Sequence, residues 1–195
     1  MTLRIGPALL VVFLSIVLVS CQGDDKPPQP RFVSDYRPDP GAQPRTAPRN
    51  AYFIEFRSRY ALTYGHSYVI FGQLGKNGRI INQEVAGLSP ATEDPTPYVI
   101  GHFVPVPAET GATDGDLEEE YRSASWRVML TESEYRKVVA HIRDLKAKSK
   151  FWLASVSNCN AFVASIARSM GYKTPSIWLR PQQFITKLRE MNGGE

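Results

Sequence analysis

The chain has 195 residues, with 23 Lys and Arg against 19 Asp and Glu, a formal net charge of +4 and 43% hydrophobic residues. That is long enough for one domain with a proper core. So small a positive balance does not argue for a nucleic-acid partner, and none is expected.

Residues 1–20 carry one cation, Arg4, followed by an apolar run from Ile5 to Val19 broken only by Gly6, Pro7 and Ser15. A charged start and a short apolar run form the pattern of a secretory signal peptide. The run is shorter than the ~20 residues of a spanning helix. Leu18-Val19-Ser20-Cys21 resembles a bacterial lipobox, in which the cysteine is lipidated and becomes the new N-terminus; an uncleaved anchor that happens to end in a cysteine is the alternative. Gln22, rather than Asp, is similar to the following residue of outer-membrane lipoproteins. The resemblance implies a lipid anchor at Cys21 and the periplasmic face of the outer membrane. Without residues 1–20, 22 cations stand against 19 anions.

The composition holds two cysteines. With Cys21 acylated, Cys159 has no partner in the chain. In an oxidising compartment that leaves a reactive thiol, an intermolecular bridge or an inert buried residue. Residues 21–50 hold seven prolines, from Pro27 to Pro48, among charges of both signs. This reads as an extended tether from Cys21 to a domain over residues 51–195.

Within that domain, Ala51–Phe56 is aromatic-rich and β-prone. Gly65–Leu74 and Arg79–Ala86 flank Gly75-Lys-Asn-Gly78, and Asn77-Gly78 between two such runs signals a hairpin. Pro90, Pro95 and Pro97 mark a loop. Tyr98–Val106 reads as a further strand, which makes His102 a buried core histidine. Residues 108–124, with Asp114, Asp116, Glu118, Glu119 and Glu120, read as a solvated loop, and a calcium site there matches no loop motif. Ser125–Leu130 is a short strand.

Thr131-Glu-Ser-Glu134 is a capping box opening a helix with Tyr135, Val138, Val139, Ile142 and Leu145 on one face and His141 off it, toward solvent. After Phe151–Ala154, a helix capped at Ser157/Asn158 carries Cys159 in its first turn and ends at Gly171. Pro181–Met191 is a last helix, burying Phe184, Ile185 and Leu188. The fold class expected is α+β, an antiparallel sheet with helices packed against it.

The first turn of a helix has unpaired N–H groups and the positive end of the macrodipole, and both favour a thiolate. Cys159 there becomes a nucleophile if a histidine reaches it. His66, opening a strand after Gly65, is the histidine placed where a side chain can point into a cleft. Against this, Cys159, Val163, Ile166 and Met170 form one helical stripe, which suits an inert core cysteine.

Asn158-Cys-Asn-Ala-Phe-Val163 resembles the nucleophile motif of circularly permuted papain-like enzymes, among them permuted NlpC-type hydrolases, lecithin–retinol-acyltransferase-like proteins and PPPDE peptidases. Thr174-Pro-Ser-Ile-Trp178 is similar to the turn that follows their helix. Their catalytic histidine lies upstream at the start of a hairpin, a context similar to Gly65-His-Ser-Tyr-Val-Ile-Phe-Gly72. The resemblance implies a permuted papain-like domain with Cys159 as nucleophile and His66 as general base and acid. The third polar residue of the family matches poorly here. The hairpin register suggests Glu84 to orient His66, with Asn82 and Gln83 behind it, although Glu84 is equally an ordinary solvent-facing residue.

Location suggests peptidoglycan peptides or acyl esters as substrate, and a monomer is expected. A lipid-anchored binding or structural protein with an inactive version of the fold is the rival reading. No nucleotide loop or metal cluster in the sequence calls for a cofactor or a metal.

Overall fold

Two nine-residue strands, Ala51–Arg59 (β2) and His66–Leu74 (β3), are rich in aromatic and β-branched residues and buried along almost their whole length. A strand buried on both faces needs cover on both. The computed structural model describes residues 31–34, 51–61, 64–92 and 94–193. The expected signal peptide, Cys21 and most of the expected tether lie outside the described residues.

Arg31–Ser34 (β1), Ile80–Gly87 (β4) and Arg122–Leu130 (β7) complete a five-stranded sheet in the order β1-β7-β2-β3-β4. Ser89–Pro90 (β5), Val106–Glu109 (β6) and Phe151–Trp152 (β8) make a small antiparallel sheet in the order β5-β6-β8. Four helices follow in chain order: Thr96–Ile100 (α1), Glu132–Lys148 (α2), Cys159–Ser169 (α3) and Pro181–Met191 (α4). The class is α+β.

Alternation along the strands divides the core. Ile54, Phe56, Val69, Phe71, Ala86, Trp126 and Val128 face the helices and pack with Val138, Ile142, Phe162, Val163, Ile166, Phe184 and Leu188. Each fully buried side chain of this size contributes roughly 1.5–3 kcal/mol. Ala51, Phe53, Tyr68, Ile70 and Leu74 form a smaller cluster on the other face. That second face is completed by charge. Glu55, fully buried, accepts from Arg57 Nε and Arg127 Nε at 2.6 Å each. Arg59 Nε donates to Asp116 at 2.6 Å, and the Tyr68 hydroxyl donates to the Asp116 carbonyl at 2.6 Å, so the segment before β7 is strapped over the sheet.

The local signals that are strongest in sequence appear as expected. Gly78 takes φ 73° in the β3–β4 turn. Thr131 and Glu134 cap α2 reciprocally, each accepting the other's backbone N–H. Helix α3 is followed by Gly171 at φ 85°, and α4 starts on Pro181.

Four expectations are corrected. Residues 31–34, placed in the tether, form an edge strand parallel to β7, so the sheet is mixed rather than antiparallel. Residues 98–105 are not a strand: Pro95 and Pro97 start a short helix instead, Val106 begins β6, and His102 sits exposed in the turn after the helix. The loop read as solvated buries Asp116 to 1% exposure. His141 is half-buried, 3.2 Å from the Ser165 hydroxyl on α3. Among the described residues, no helix is long and apolar enough to cross a membrane.

Candidate functional site

Cys159 is the first residue of α3. Asn158 caps the helix, its carbonyl oxygen accepting the Ala161 N–H at 2.9 Å. The amide nitrogen of Asn158 donates to the carbonyls of Ala154 (2.7 Å) and Ile177 (3.3 Å). On the other side of the cysteine, Asn160 is fully buried. It accepts the Ser67 hydroxyl at 2.7 Å and donates to the carbonyls of Ile177 (3.1 Å) and Leu179 (2.7 Å). The two asparagines of the Asn-Cys-Asn motif therefore tie the helix start to strand β3 and to the loop before α4. Buried amides with full sets of partners hold such a junction rigid.

Between them the thiol is 6% exposed. Burial pushes it above its ordinary value. The Ser67 hydroxyl and the backbone N–H groups of Ser67, Asn160 and Cys159 itself lie around the sulfur and pull the other way. Desolvation wins, so the resting group is a neutral thiol held in a nest of donors.

His66 is the neighbour of Ser67 in sequence, and strand alternation sends the two side chains to opposite faces. Ser67 points to α3. The His66 ring stacks on Tyr68, with centroids 5.6 Å apart and planes at 12°. It also lies over Gly87, where a Cβ would stand 2.8 Å from His66 Nε2. That nitrogen is buried and makes no hydrogen bond. Burial lowers the ring to about 4, with Asp116 pulling up and Arg59 pulling down. The geometry brings Cys159 together with Ser67 and Asn160. It turns His66 toward Tyr68, Asp116 and Arg59 on the second face.

Glu84 does not reach His66. The register places Glu84 opposite Phe71 and Gly87 opposite Tyr68. Five residues along β3 separate Phe71 from His66, about 16 Å at strand rise. Glu84 instead pairs with Arg143 of α2. Gln83 and Asn82 face Gly72 and Gln73, farther still, and both are exposed. Counted outward from Asn77-Gly78, the ladder already pairs Phe71 with Glu84 and leaves His66 beyond the last pair, Tyr68 with Gly87, so the expectation set Glu84 five positions too close to His66. The carboxylate on the second face that acts on His66 is Asp116. Its link to β2 and β3 is made across 57 residues by Arg59, and no local pattern announces such a contact.

His102 Nδ1 lies 2.8 Å from the Tyr98 carbonyl, and its ring packs edge-on to Trp152. Among the described residues, no group of three His, Cys, Asp or Glu side chains could hold a metal ion. Compared with protein-family models, with curated proteins and with solved structures, the chain matches none of them.

Proposed function

We propose that this is a lipid-anchored envelope protein whose domain performs thiol-dependent acyl chemistry, as a hydrolase or acyltransferase of the permuted papain-like kind. One observation carries the reading: Cys159 opens α3 directly after its Asn158 cap, with Ser67 of β3 bonded to Asn160 beside it. An oxyanion formed beside that sulfur would find N–H groups already aimed at it, and such preorganised donors are the largest common contribution to acyl transfer. In the reaction the Cys159 thiol gives up its proton as the sulfur attacks a carbonyl carbon. The leaving alcohol or amine takes a proton as it departs, and water or a second acceptor then removes the acyl group from sulfur. His66, one residue from Ser67, is the base in this reading, and it serves only if the start of β3 turns its ring from the Tyr68 face to the face of the thiol.

The second reading, a lipid-anchored binding or structural module with a silent thiol, is favoured by the orientation of His66 itself, away from α3. The two separate in one experiment. The purified chain is offered acyl esters and muropeptides, and Cys159 is followed by mass spectrometry. An acyl adduct that is lost in Cys159→Ala and slowed in His66→Ala supports the enzyme. No adduct and no turnover with either substrate class leaves the binding module.

A further inference from the structure

The end of the domain that holds the start of α3 is ringed by large apolar side chains in water. Tyr64 is 51% exposed, Ile100 44%, Phe103 82%, Val104 51%, Val156 64% and Trp178 73%. They come from four segments, between strands and helices or at their ends, that are laced together. The Ala154 N–H donates to the Gly101 carbonyl at 2.9 Å, Trp178 Nε1 to the Ser155 carbonyl at 2.8 Å, and the Tyr64 hydroxyl to the Leu179 carbonyl at 3.4 Å. Side chains held out on a braced rim keep their exposure, and exposed apolar groups gathered at one end mark a contact surface.

The chain enters the sheet at this same end. Arg31, the first residue of β1, stands opposite Ser125 of β7. Ser125 stands opposite Arg57 of β2, and Arg57 opposite Tyr68 of β3, three residues after Gly65. Three strand spacings, about 14 Å, separate β1 from β3. Cys21 lies ten residues before Arg31, within about 35 Å of it even with the chain fully extended. An acylated Cys21 is thus joined to the sheet at this end.

We propose that the rim of Tyr64, Phe103, Val104, Val156 and Trp178 is a bilayer-docking surface, seating the domain with the start of α3 at the lipid interface. The proposal rests on the lipid-anchor reading of Cys21. Tyr and Trp with engaged polar tips, beside bare aliphatic and Phe side chains, suit the headgroup–acyl boundary. The acidic Glu118–Glu120 stretch lies on the β7 side of this end, so a zwitterionic surface suits it better than an anionic one.

The test uses the processed chain with Cys21→Ser, which removes the lipid, and vesicles of phosphatidylcholine. Trp126 and Trp152 are buried, so a change in tryptophan emission reports Trp178. Vesicles should blue-shift the emission and co-sediment the protein. Phe103→Glu or Val156→Glu should weaken partitioning about tenfold or more, the loss expected when an apolar anchor becomes a charge. Ile81→Glu, at a 60% exposed position on the far end of β4, should leave it unchanged. No vesicle binding, an equal loss from Ile81→Glu, or retention on peptidoglycan alone overturns the proposal. Palmitate labelling of Cys21 in cells tests the anchor separately. Vesicle binding without label removes the anchor and keeps the docking surface, and label without vesicle binding does the reverse.

Discussion

His66 and Cys159 are both buried titratable groups, and each is held in its neutral form. For His66 the folded ring titrates at about 4 against an ordinary 6.5. The neutral ring is therefore the form that favours folding. Its contribution is complete above pH 6.5 and is lost as pH falls toward 4, because the unfolded chain takes up the proton first. A shift of this size amounts to about 3 kcal/mol over that window. Urea unfolding at pH 7 and pH 4.5 should show the loss, and His66→Gln should reduce the difference between the two.

For Cys159, burial opposes the donors that surround it and wins. Iodoacetamide should accordingly modify the thiol more slowly than free cysteine at pH 8, with the rate still rising above pH 9. Ser67→Ala removes the hydroxyl whose influence pulls the thiol down, along with its bond to Asn160, and should slow the reaction further. Fast modification at pH 6 would contradict the neutral thiol and point to an ion pair with a base.

At the level of elements, the Asn-Cys-Asn motif is a joint between α3, β3 and the loop at 177–179. Asn160→Ala would strand the Ser67 hydroxyl and leave the carbonyls of Ile177 and Leu179 with only their longer bonds, from Asn158 at 3.3 Å and Tyr64 at 3.4 Å. An orphaned group costs about 1–3 kcal/mol, and with two weakened bonds beside it a loss of about 3 kcal/mol is expected. Thermal unfolding measures it, and faster proteolysis at residues 176–180 would locate it. The Thr131 cap stands alone on its helix, and Thr131→Ala should cost about 1 kcal/mol with no change at Cys159. Caps, the Asn77-Gly78 turn and the Pro181 start were readable because a few adjacent residues decide each of them. The Tyr98–Val106 segment was misread because its apolar residues suit a strand, while Pro95 and Pro97 favour the first turn of a helix.

Across the whole molecule, the second face of the sheet joins its smaller apolar cluster to a buried network of charge. Glu55 gathers Arg57 of β2 and Arg127 of β7, with Arg31 of β1 at 3.4 Å. Removing one partner of a buried ion network leaves uncompensated charge, so Glu55→Gln should cost about 3–5 kcal/mol in denaturant unfolding. It should also loosen β1, read as faster amide exchange at Arg31–Ser34, because Arg31 loses one of its two carboxylates.

By itself the sequence determined the α+β class, the main hairpin, the capping of α2, the extent of α4 and the placing of Cys159 in the first turn of a helix. Those rest on side-chain period and on contacts within a few residues. Only the tertiary structure decided which groups meet the thiol. The docking of α3 on β3, the strap through Asp116 and the pairing of Glu84 with α2 depend on partners tens of residues apart. They put Ser67 and Asn160 beside Cys159, left His66 on the opposite face and sent Glu84 to Arg143.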